Sequence, residues 1–154
     1  MFPGFAITAF SFLLLVYWFR YTCLLILNTR PAKDLSIRFA QTNHLELPRV
    51  RAALEEEPTP EQMDALRHAL DADYDVVRGV LAHTACFDPD PGGAEIRMLM
   101  LNYGAVGMAF VVLRRLGRPA EARGALGEMT GVVAHLANAA AQRAVVRSGT
   151  RLMQ

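Results

Sequence analysis

Apolar and polar positions are spread very unevenly along this chain. Met1 to Phe19 contains no charged side chain, and LVYWFRYTCLLILN, residues 15 to 28, sets one arginine between two apolar runs. As an α-helix, Phe2 to Phe19 measures about 27 Å, just enough to cross the hydrocarbon layer of a bilayer. Tyr17, Trp18 and Tyr21 then fall at one end, where amphipathic rings favour the headgroup zone. Arg20 can lay its stem along the helix and set its guanidinium among phosphates, so it marks the membrane edge. In a shifted span Arg20 would lie within lipid and Leu24 to Leu27 would complete the crossing. That placement is costly and calls for a carboxylate from a partner, so the edge reading is preferred. TCLLILNT, residues 22 to 29, then extends the helix as a stalk at the inner interface or against a partner.

After residue 30 the apolar positions recur at helical spacing, and no stretch sustains the alternation of a strand. Leu35, Ile37, Phe39 and Ala40, then Leu45, Leu47, Val50 and Leu54, predict two short helices over about 33–43 and 48–57, broken at Pro48. The clearest helix is predicted at 60–86. Thr59 can cap it, Pro60 suits its first position and Gln62 completes a capping box. Met63, Leu66, Leu70, Tyr74, Val77, Leu81 and Ala85 form its packing stripe.

DPDPGG, residues 88 to 93, is a turn by composition. Residues 94–116 form the next helix. Its uncharged run, Met98 to Leu113, is short for a span and holds Asn102 and two glycines, so a central core helix fits better than a second crossing. Gly117 can end it and Pro119 can start the last helix, about 119–147. There Ala122, Leu126, Met129, Val133, Leu136 and Ala140 are the apolar line, while Gly124, Gly127 and Gly131 would let another helix approach closely. The expected fold is all-α: an N-terminal single transmembrane helix followed by an up-and-down helical bundle. Its parts are an anchor and stalk at 1–29, kinked connecting helices at 30–58, the bundle at 59–148 and a tail at 149–154.

Composition sharpens this picture in three ways. Residues 31–90 carry six basic and twelve acidic side chains, and residues 91–154 carry eight and three. These opposite halves can attract within a bundle or between copies, and neither is basic enough for a nucleic-acid platform. Basic residues follow the span, at Arg20, Arg30, Lys33 and Arg38, and none precedes it. The positive-inside rule therefore sets the N-terminus outside and the bundle in the cytoplasm, at the inner membrane. A cleaved leader fits poorly, because no charged n-region precedes the apolar core and no small-x-small site follows it. Arginine outnumbers lysine fifteen to one, which points to a GC-rich bacterial genome.

Candidate chemistry is sparse. Cys23 and Cys86 make no disulfide framework. His83 and Cys86 sit one turn apart near a helix end, but a closed zinc site needs a second pair, so neither a metal nor a cofactor is expected. DADYD, residues 71 to 75, has the spacing that opens a calcium loop but lacks the glycine and glutamate that complete one. Asp64, His68, Asp71 and Asp75 read instead as a solvated acidic face, whose natural partner is the basic surface of Arg114, Arg115, Arg118 and Arg123. No phosphate-binding loop, dinucleotide fingerprint or nucleophile elbow is present, so nothing argues positively for an enzyme.

The expected function is therefore a membrane-anchored interaction or accessory subunit, docking on a larger membrane complex or on its own copies, with no nucleic-acid partner. The alternative is a ligand- or cofactor-binding helical bundle, including an enzyme, with His83, Cys86 and Tyr103 as polar contacts.

Overall fold

A computed structural model describes residues 2–29, 35–85 and 93–151. Among them the chain is helical with no strand: α1 (Phe2–Asn28), α2 (Ser36–Thr42), α3 (Leu47–Glu55), α4 (Pro60–Ala85), α5 (Gly93–Arg115) and α6 (Pro119–Arg151). The turn expected at 88–93 lies, but for Gly93, outside the described residues. Two compact units divide the chain, Met1–Pro31 and Ala32–Gln154.

The first unit is α1. Its 27 residues make a helix of about 40 Å, so TCLLILN continues the helix past Arg20. No break occurs at the arginine because nothing there disfavours helical geometry. The Thr22 hydroxyl donates to the Trp18 carbonyl at 2.9 Å, and Thr29 does the same to Leu25 at 3.0 Å. Ala6–Asn28 is long and apolar enough to cross a membrane, and so is Gly93–Arg115. The second stretch is α5, and 39% of its eighteen-residue apolar part is buried inside the unit.

In the second unit α6 is the hub, packing against α2, α3, α4 and α5. The sequence pointed to residues 98–113 as the central helix, but α5 keeps one side open while α6 is enclosed along most of its length. Composition explains the exchange. Ala122, Ala134, Ala137, Ala140 and Ala141 are buried on α6 with Leu126, Met129, Val132, Val133 and Leu136, so apolar positions occur on several faces. Alanine allows close helix approach without the helix-propensity cost of glycine, about 1 kcal/mol per residue. Gly124 and Gly127 do not serve that purpose. A Cβ built at Gly124 or Gly127 would meet nothing within 4 Å.

Helix ends follow local rules where those rules are strong. The capping box forms, with Thr59 N–H donating to Gln62 Oε1 at 2.8 Å and Gln62 N–H to Thr59 Oγ1 at 3.4 Å. Gly117 adopts φ 65°, and the Arg118 N–H donates to the Leu113 carbonyl at 3.0 Å, which closes α5 in a Schellman turn. The end of α2 repeats this geometry with His44 at φ 54° and Leu45 N–H on the Ala40 carbonyl at 2.9 Å.

Two caps are long-range. Asn138 Oδ1 of α6 accepts the Leu35 N–H at 2.8 Å, and Asp73 Oδ1 of α4 accepts the Glu46 N–H at 3.0 Å. Thus α2 and α3, expected as connectors, are fastened to the bundle at their N-termini. Leu45, Leu47 and Val50 are buried as their spacing suggested, but Ile37 is exposed.

Candidate functional site

The most structured polar region lies along the seam between α4 and α5. Tyr103 and Tyr74 stack with ring centroids 4.0 Å apart and planes 3° from parallel. Tyr103 donates its hydroxyl to Asp71 Oδ1 at 2.7 Å. Burial first, then the Asp71 carboxylate, pushes the Tyr103 hydroxyl far above the usual phenol range, so it remains a donor at any physiological pH. Arg67 stands beside this stack. Its Nε is 3.6 Å from Asp71 Oδ2, and its guanidinium carbon lies 5.4 Å from the Phe110 ring centroid.

Farther along the seam, Arg114 grips Asp64 with two parallel bonds, Nε to Oδ1 at 3.3 Å and Nη2 to Oδ2 at 2.8 Å. The Arg114 guanidinium holds the Asp64 carboxyl below its ordinary range. A shallow open depression of about 280 Å³ lies here, lined by Asp64, Arg67, Phe110, Val111, Arg114 and Arg115. It contains no nucleophile and no acid–base pair. Arg114 is already engaged with Asp64, whereas the buried Arg67 Nε approaches Asp71 at 3.6 Å without a hydrogen bond.

The acidic face read from the sequence is thus partly consumed within the unit. Asp64 and Asp71 bond α5, while His68 and Asp75 remain exposed. Asp73 is buried with only 4% of its surface exposed, because it faces α3 rather than solvent. Burial raises its carboxyl above the usual range, the Glu46 and Leu47 N–H groups pull it down, and the Glu46 carboxylate raises it again. Of the expected basic surface, Arg114 meets Asp64, Arg123 meets Glu57 at 2.9 Å and Arg118 meets Glu121 at 2.6 Å.

Other polar links run from α5 to α6. Asn102 Nδ2 donates to Glu128 Oε1 at 2.9 Å, and His135 Nε2 lies 3.0 Å from Glu95 Oε1. Asn102, Asp73 and Asn138 were not singled out in the sequence as site residues. The available signal was position, since Asp73 falls three residues after Leu70 and four before Val77, on the apolar side of α4.

Of the residues expected as ligand contacts, His83 and Tyr103 are described and lie apart. Tyr103 is occupied by Asp71 and Tyr74. His83 is exposed near the end of α4, nine residues or about 13 Å along the axis from Tyr74. Cys86 lies outside the described residues. Among the described residues no group of three or more histidine, cysteine, aspartate or glutamate side chains is placed to hold a metal ion.

Tyr17, Trp18, Arg20 and Tyr21, expected at a membrane edge, all lie on α1. Tyr17, Trp18 and Tyr21 are all more than half exposed, and Arg20 shares their stretch of about 6 Å along the axis. Phe12, Leu13, Leu14, Leu15 and Val16 are exposed in succession, which covers the whole circumference of the helix. No protein-family model, curated protein or solved structure matches the chain.

Proposed function

We propose that this chain is a membrane-anchored accessory protein. In this reading α1 crosses the inner membrane once, and the second unit, an up-and-down bundle, stands at the cytoplasmic face, where it docks on a larger membrane complex or on its own copies. One observation carries the reading: α1 exposes large apolar side chains on every side between Phe12 and Val16, Tyr17, Trp18, Arg20 and Tyr21 follow them, and Leu24 and Leu25 are exposed beyond. A helix apolar all round needs either a protein core or a lipid environment, and aromatic rings with a cation at one end suit lipid.

The side is argued from charge. Arg20, Arg30, Lys33 and Arg38 all lie within nineteen residues after Phe19, which favours a cytoplasmic location for the second unit. A docking role is supported by what the second unit contains, a polar seam devoted to holding helices together and no assembled reactive grouping among the described residues.

Fractionation tests this. The protein should stay in the membrane pellet through alkaline carbonate and high salt, and leave it only with detergent. Extraction in mild detergent should then recover it with a membrane partner or as an oligomer. Release by carbonate alone would refute the anchor, and a monomer free of associates at native abundance would refute docking.

A further inference from the structure

Among the described residues nothing covers the outward side of α5, and that side is apolar. Leu101, Ala105, Met108 and Val112 recur at steps of four, three and four, and Gly104, Ala109 and Leu116 flank them. All seven are exposed, with Met108 72% exposed and Leu101 67%. The polar side chains of the same helix point the other way, Asn102 to Glu128 and Tyr103 to Asp71. Arg97 and Arg115 bracket the stripe. They are eighteen residues, five full turns, apart, so they project from the same side about 27 Å from each other. Among the described residues neither takes part in an ion pair.

We infer that this face of α5 lies flat on the bilayer, its apolar side chains in the headgroup boundary and Arg97 and Arg115 on lipid phosphates. The inference rests on α1 being the anchor. Two features favour lipid over a protein. A standard protein interface uses roughly 20–30 residues a side, whereas this face offers seven. Charge also fits, because Arg97 and Arg115 at the rim of this face are exposed, and an anionic inner leaflet attracts them. An apolar helical face rimmed by arginines is the form that interfacial helices take.

The test uses the full chain in vesicles. Trp18 is the only tryptophan, so Trp18→Phe combined with Met108→Trp reports on α5 alone, and Trp18→Phe with Val76→Trp reports on the exposed side of α4. Phosphatidylcholine brominated near the headgroup end of its acyl chains, mixed with phosphatidylglycerol, serves as quencher. Tryptophan at 108 should be quenched at least about threefold more than at 76, and replacing Arg97 and Arg115 by glutamine should reduce that difference. Helix content by circular dichroism confirms that each variant is folded. Equal quenching at 108 and 76 with native Trp18 still quenched would overturn the inference and leave the anchor standing. An unquenched Trp18 would remove the anchor and this inference together. A Met108→Cys chain that oxidises to a dimer, with residue 108 shielded from lipid, would overturn it in favour of a second copy. Gly104→Leu provides a further arm. Its Cβ position is open, so lipid contact tolerates the change, whereas helix pairing through Gly104, Ala105 and Ala109 would be lost.

Discussion

Asp73 offers the sharpest test of how the second unit is assembled. Its carboxylate, carried by α4, accepts the Glu46 N–H at the start of α3, where no side chain of α3 itself provides a cap. Replacing Asp73 with alanine removes that acceptor. Loss of a helix cap costs about 1 kcal/mol, and emptying a buried position adds to it, so Asp73→Ala should destabilise the unit by about 1–2 kcal/mol. Asparagine keeps the oxygen acceptor and discards the buried charge. A hydrogen bond to a charged group is worth about 1 kcal/mol more than a neutral one, and relief of burial offsets this, so Asp73→Asn should stay within about 0.5 kcal/mol of the parent near neutral pH.

The pH dependence of the pair has a defined sign. Burial raises the Asp73 carboxyl above the ordinary value of 3.8. The folded protein therefore takes up this proton at a higher pH than the unfolded chain does. The penalty of the buried charge is fully present above the folded pKa and is relieved as pH falls through it toward 3.8. The parent should thus gain stability relative to Asp73→Asn on acidification through that window. Thermal unfolding in mild detergent, followed by helix circular dichroism, reads both effects. For a unit of this size, 1–2 kcal/mol is a fall of about 4–8 °C in Tm. An Asp73→Ala protein as stable as the parent, or a parent that loses ground to Asp73→Asn on acidification, would refute the capping argument.

Other expectations rest on single positions. Gly124→Ala and Gly127→Ala occupy open space on α6, so each should raise stability by up to about 1 kcal/mol, seen as a higher Tm; a fall would mean a packing neighbour at that position. His44 holds φ 54° at the end of α2, and His44→Gly should gain up to about 1 kcal/mol by the same measurement, whereas His44→Val should lose more than that. Tyr103→Phe keeps the stack on Tyr74 and removes the bond to Asp71, costing about 1 kcal/mol, while Tyr103→Ala should cost about 3–5 kcal/mol.

What could be read from the sequence was whatever a single helix determines by itself. Thr59, Pro60 and Gln62 start α4 because capping is local, and Gly117 ends α5 because the required backbone conformation suits glycine. The apolar line from Ala122 to Ala140 is buried as its spacing demands. What could not be read depends on which helices meet. Periodicity says which face of α6 is apolar but not that four helices gather on it. The position of Asp73 on the apolar side of α4 was legible, but its role as the cap of α3 depends on α3 lying across α4. Asp64 and Arg114, fifty residues apart, were assigned to complementary surfaces, and the fold turns that complementarity inward at this pair. The outward side of α5 was legible as an apolar run, and its exposure results only from α6 occupying the opposite side.

The central claim is that α1 lives in lipid with Trp18 at its edge, and the native fluorescence of that tryptophan tests it most directly. In bilayers whose lipids are brominated at graded depths, Trp18 should emit at a blue-shifted wavelength and be quenched most by bromine near the headgroups. Emission at the wavelength of water-exposed tryptophan, with no quenching at any depth, would contradict the account.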